Sequence, residues 1–212
     1  DLGQSPGDIV VLSAADTELS GLARAHAGFG GGSPELRLAN LMQLSHNMSV
    51  DIHVDDVIAF ARLVVVRLLG GVGYWPYGIE RIVKTCRDRD IALAVLPGDD
   101  QPDPELAVLS TLPAEACHRL WQYLVHGGAE NFESALGFAA SLIGHDADWA
   151  EPAPLLRAGI YHPGHAQPGL EDVRAGWVAG RPVAAIVFYR ALVQVGNLAP
   201  VDALIEALNM RG

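Results

Sequence analysis

Lysine is the scarcest side chain of consequence in this sequence. Lys84 is the only one in 212 residues, and arginine supplies the rest of the 14 basic groups against 25 acidic ones. The resulting net charge of −11 argues against a nucleic-acid binder, whose phosphate contacts need clustered Lys and Arg. The lysine shortage itself reads as biased genome composition. Cysteine is almost as rare. Cys86 and Cys117 form neither a disulfide framework nor a zinc knuckle, which fits a reducing compartment. No apolar run approaches the roughly 18–20 residues of a membrane span, so none is expected. The opening DLGQSPGD has neither the basic nor the apolar region of an export signal, and the expected location is cytoplasmic. A first residue that is Asp rather than Met is what a fragment or a processed form would show.

The signatures of nucleotide and hydrolytic chemistry are missing too. Gly70-Gly71-Val72-Gly73 follows an apolar run as a dinucleotide fingerprint would, but Pro76 stands where the third glycine belongs. The lone lysine has no Gly-Lys-Ser/Thr context, so no ATP hydrolysis is expected of this chain. There is no G-x-S-x-G elbow. Neither cysteine has a recognisable histidine partner.

What remains is a chain half hydrophobic, long enough for a real core. Residues 8–13, 63–68 and 91–96 are short apolar runs, as expected for parallel strands covered on both faces. Asp16 is the expected N-cap of a helix over 17–26, and Ser49 of one over 50–61. Residues 37–44 fit a strand or a short helix equally. Ile79, Ile82, Val83 and Cys86 make the buried stripe of a helix that opens near Pro76, where the missing N–H does no harm. Residues 101–113 read as loop, and helices follow at 114–125 and 129–143. Residues 145–154, HDADWAEPAP, read as a linker. After it come expected strands at 156–161 and 183–189, with helices near 170–178 and 201–209. The alternation implies an α/β fold: a mostly parallel sheet flanked by helices, flavodoxin-like or Rossmann-like, followed by the start of a second α/β unit. The division is a head domain at 1–144, the linker, and an incomplete second domain at 155–212.

Candidate chemistry sits mainly at strand ends. Asp99 and Asp100 follow the 91–96 run, where carboxylates of a parallel sheet face the ligand crevice; the alternative is a turn capped by Asp99. Tyr189 and Arg190 hold the matching place after 183–188. Arg190 either clamps a carboxylate or amide-bearing ligand or pairs with a neighbouring acid. His162 and His165, in YHPGH, either hold a divalent cation or are incidental loop residues without a third ligand. Asp51, His53, Asp55 and Asp56 read as a solvated helix start, with Asp51 and Asp55 on one face.

Seven stretches in order carry a resemblance: LSAADTELSGLA, LANLMQLSHNMSVD, VVVRLLGGVGYWPYGIE, AVLPGDDQPDPEL, LWQYLVHGGAEN, LLRAGIYHPG and IVFYRALVQVGN. Together they resemble the N-terminal part of the large subunits of the aerobic cobaltochelatase (CobN) family, related to the H subunits of magnesium chelatase. The resemblance covers essentially the whole chain. It implies a subunit several times longer than this chain, one that binds corrin and inserts Co²⁺, as substrate, into hydrogenobyrinic acid a,c-diamide in cobalamin biosynthesis. It implies AAA+ motor subunits as partners, carrying ATP and Mg²⁺, and no cofactor on this fragment, which would itself be non-catalytic. Tyr74, Trp75, Asp99, Asp100, Tyr189 and Arg190 are then candidate corrin contacts, the aromatics packing on the macrocycle. The alternative is a free-standing α/β ligand-binding or interaction module without catalysis.

Overall fold

Four strands, β1 (Ile9–Ser13), β2 (Leu36–Asn40), β3 (Leu63–Leu68) and β4 (Ala92–Pro97), pair in parallel in the order β2-β1-β3-β4. They come from a computed structural model that describes residues 2–30, 32–155, 158–165 and 168–211. Every side chain of β1 and β3 is buried, because helices cover both faces of the sheet. Alternate residues serve alternate faces. On one side Val10, Leu12, Val64 and Val66 pack against α2 (Asn47–Asp56) and α3 (Pro76–Asp88). On the other, Ile9, Val11, Leu63 and Val65 meet α1 (Asp16–Ala27), α5 (Ala114–His126) and α6 (Ala129–Leu142). Each such Val, Leu or Ile contributes roughly 1.5–3 kcal/mol of burial.

Several local expectations shift in the structure. Residues 37–44 split into the edge strand β2 and a 3-10 turn over Leu41–Leu44. Ala15 occupies the cap position of α1, and Asp16 is its first helical residue, accepting a hydrogen bond from the Asn40 side chain at 2.5 Å. α2 begins before Ser49, after His46, and stops at Asp56. The loop over 101–113 contains a short helix, α4 (Pro104–Ala107), which Asp103 caps by accepting from the N–H groups of Glu105 and Leu106.

The larger differences lie beyond α6. Residues 145–154 are no free linker. Gly127 and Gly128, both at positive φ, turn α5 back into α6, and the segment then straps across that hairpin. Asn131 clasps it, donating to Ala153 O at 2.8 Å and accepting from Ala153 N at 2.9 Å. Arg119 meets Glu151 through two bonds of 3.0 and 3.1 Å and lies over the rings of Phe138 and Trp149. Further on are α7 (Leu170–Arg174), α8 (Ala191–Gln194) and α9 (Ala199–Met210). Neither expected strand there is paired: residues 158–161 and 183–189 join no sheet, and residues 156 and 157 lie outside the described ones. An apolar run becomes a strand only where another strand meets it, and no described segment does so here.

Candidate functional site

In a doubly wound sheet, ligands bind at the carboxyl ends of the strands where the winding reverses. The order β2-β1-β3-β4 puts that reversal between β1 and β3, whose last turns bring Ser13 level with Arg67. Glu18, from the first turn of α1, completes the group. All three are buried. Ser13 Oγ donates to Glu18 Oε2 at 2.7 Å, and Glu18 forms an ion pair with Arg67. The helix N-terminus adds a favourable dipole for the Glu18 carboxylate.

Arg67 gives three further donors to the chain itself. Nε reaches Pro97 O at 3.1 Å, Nη2 reaches Gly98 O at 3.0 Å, and Nη1 reaches Leu124 O at 3.2 Å. Burial pulls the guanidinium down to about 10, the nearby Asp99 carboxylate acting the other way, so it stays charged at neutral pH. The pair therefore ties β3 to the β4 loop, α1 and α5, with four of the five guanidinium N–H groups engaged by the chain.

The crevice is also roofed. Gly128 N donates to Gln194 O at 2.6 Å, Gln194 Nε2 to His126 O at 3.3 Å, and Arg24 to the carbonyls of Val195 and Gly196. Beneath that roof is a cavity of about 190 Å³, touched by Thr17, Glu18, Arg67, Phe132 and Ala191. Pockets for ordinary ligands run about 300–1,000 Å³, so this space is too small for a macrocycle.

The expected site residues are distributed as follows. Asp99 and Asp100 are exposed at the end of β4. Asp99 caps its turn by accepting from Gln101 N at 3.1 Å, and Asp100 accepts from the Gln101 side chain. Tyr74 is exposed after β3, its hydroxyl against Met42 Sδ. Trp75 is not a surface platform. It is buried, donates Nε1–H to Leu44 O at 2.9 Å, and packs so closely on Gly78 that a Cβ there would lie 2.1 Å from the ring. Tyr189 is 88% exposed, whereas Arg190 is half-buried and donates to Leu155 O at 3.1 Å. His162 and His165 stand edge to face, 5.4 Å between ring centroids. His162 shares an open groove of about 500 Å³ with Asp202 and Glu206. Among the described residues, however, no three His, Cys, Asp or Glu side chains gather as a metal site. Both cysteines are free; burial pushes Cys86 up to about 12 and raises Cys117 as well, so neither is an activated thiolate.

Sequence reasoning missed Ser13, Glu18 and Arg67. The visible signal was an arginine inside the apolar run VVVRLL, which in a strand covered on both faces demands a buried partner. Likewise His53, expected on a solvated helix start, is buried in α2. Asp51 does lie outward, where Tyr77 and Arg81 of α3 both donate to it and hold its carboxyl below the usual range.

Comparison with known proteins places the whole chain. Residues 121–212 match the CobN/Magnesium Chelatase family. The chain is 44% identical, over its full length, to aerobic cobaltochelatase subunit CobN of Pseudomonas aeruginosa, and 46% identical to that of a Sinorhizobium species. It spans 17% of the length of each. Its fold matches the catalytic subunit of cobaltochelatase from Mycobacterium tuberculosis with a TM-score of 0.67 at 25% identity, covering 96% of this chain and 15% of that one. Among the described residues no helix is long and apolar enough to cross a membrane.

Proposed function

Because the chain belongs to the CobN/magnesium chelatase family, we propose that it is the N-terminal part of the corrin-binding large subunit of an ATP-dependent cobaltochelatase. The observation that carries this reading is identity running through the entire chain. The enzyme would act in the cytoplasm as a nitrogen–metal ligase of aerobic cobalamin biosynthesis, inserting Co²⁺ into hydrogenobyrinic acid a,c-diamide. Insertion requires stripping water from the ion, offering it to the ring nitrogens and removing their protons. That takes a cavity with a base and several ligands. The switch-point crevice instead holds the Glu18–Arg67 pair and a space of only about 190 Å³ walled in part by α8. We therefore assign the chemistry to the rest of the large subunit and the ATP and Mg²⁺ to AAA+ partners.

Residues 1–144 would be a head domain, and residues 155–212 the beginning of a second unit. The head would scaffold the large subunit or receive the motor subunits. Corrin contact within this chain would fall to the exposed Tyr74, Asp99 and Asp100 of the head and to Tyr189 and Arg190 of the second unit. The His162–His165 pair is the place to look for cobalt.

Reconstitution tests this. Full-length large subunit with its motor partners, corrin, Co²⁺ and ATP should shift the corrin absorption to that of the cobalt complex, and this chain in its place should not. Failure of the full-length protein sinks the chelatase reading; insertion by the chain alone sinks the head assignment. Titration of the chain with corrin decides the contact: micromolar binding lost in Arg190→Ala would assign it, and no binding would reserve the chain for partner subunits.

A further inference from the structure

Residues 183–188, VAAIVF, are apolar throughout, yet they pair with no strand and lie largely in solvent. Val187 is 95% exposed and Val183 58%. Accessibility alternates along 186–189: Ile186 and Phe188 are half-buried, Val187 and Tyr189 exposed. That is the period of a strand. Phe188 stands edge-on to Tyr161 at 6.1 Å, so one face of the segment already has a neighbour. The segment runs directly into α8, which is fastened to the head through Gln194 and Arg24. α9 beyond it presents Leu204 and Leu208, one turn apart, to solvent. A strand apolar on both faces belongs inside a sheet covered on both sides.

We infer that residues 183–188 are a strand of a sheet whose other strands come from the part of the large-subunit polypeptide outside this chain, with Leu204 and Leu208 packing on that same unit. The inference rests on the proposed function. The relatives supply the material, since the chain accounts for only 17% of their length. A second copy is the poorer occupant. Two copies of one strand make a two-stranded ribbon, which would leave both apolar faces wet and is marginal in water.

Amide hydrogen exchange on the full-length large subunit and on this chain tests the inference. In the full-length protein the amides of 183–188 should exchange at least about 100-fold more slowly than in this chain. Val187→Asp should leave the melting temperature of this chain unchanged and lower that of the full-length protein. Rapid exchange of 183–188 in the full-length protein overturns the inference. So does protection in this chain that rises with concentration alongside a dimer mass, which would make the partner a second copy. The mass of the native gene product separates the two levels: a product ending near residue 212 removes the large-subunit reading and this inference with it. A full-length product with an unprotected 183–188 removes this inference alone.

Discussion

His53 projects from α2 into the interior, 3% exposed, with Nε2 lacking a hydrogen-bond partner. Burial pulls its pKa from 6.5 to about 4. Between those values the unfolded chain holds a proton that the folded chain refuses. Stability is therefore complete above about pH 6.5 and is lost as pH falls toward 4, by up to about 3 kcal/mol. Urea midpoints measured from pH 7 to pH 4.5 should fall in the parent and fall less in His53→Leu. Parallel pH curves for the two proteins would refute the assignment. The Glu18–Arg67 pair makes a second test at this scale. Removing one member strands the other charge in the interior, so Arg67→Met should cost about 3–5 kcal/mol. Glu18→Leu combined with Arg67→Met should cost less than the two single changes added, because no charge is left unpaired. Additive losses in urea titrations would mean that the pair is not coupled.

Between residues and the whole lie the elements, and here the limits of the sequence are physical. β3 and β4 were legible because a strand covered on both faces has to be apolar along its length. β2, at the sheet edge, is only partly buried, so Leu36–Asn40 carries no such run and its pattern decided nothing. The other edge is blunted by side chains. Ser110 Oγ and Thr111 Oγ1 accept from the N–H groups of Val95 and Leu93, at 2.9 and 2.8 Å, a pairing no local pattern announces. The site was legible only at its rim. Asp99 and Asp100 could be read from their place after a strand, but the Ser13–Glu18–Arg67 group joins residues from β1, α1 and β3 that only the folded sheet brings together. Residues 183–188 show the converse: a local pattern for a strand, with nothing in this chain to pair it. The strap across α5 and α6 depends on similarly distant bonds. Asn131→Ala removes its two bonds to Ala153 and one of 2.7 Å to Gly127 O, leaving the carbonyl of buried Gly127 without that donor and the strap without its clasp. It should cost about 2–3 kcal/mol and open residues 145–154 to proteolysis. A strap that stays resistant in Asn131→Ala would show that Arg119 and Glu151 suffice.

For the whole molecule the decisive fact is where the core ends. Beyond Ile143, only Pro168 and Val201 are buried among the described residues. The sheet, both helical layers and the strap lie within residues 1–155, while α7 and α8 bury nothing. What joins the later segment to the head is mainly the polar roof of Arg24, His126, Gly128 and Gln194, with hydrogen bonds worth about 0.5–1.5 kcal/mol each. Residues 1–155 alone should therefore unfold cooperatively, within about 2 kcal/mol of the full chain. Trypsin should cut first after the exposed Arg174, sparing the buried Arg67 and passing over Arg181, which Pro182 follows. That cut should vanish when the segment sits in a full-length large subunit, because the surfaces that hold 183–188 and α9 there would cover it. Early cleavage inside residues 1–144, or a loss of cooperativity on truncation, would show that the head draws its stability from the C-terminal segment. The boundary between head and second unit would then have to move.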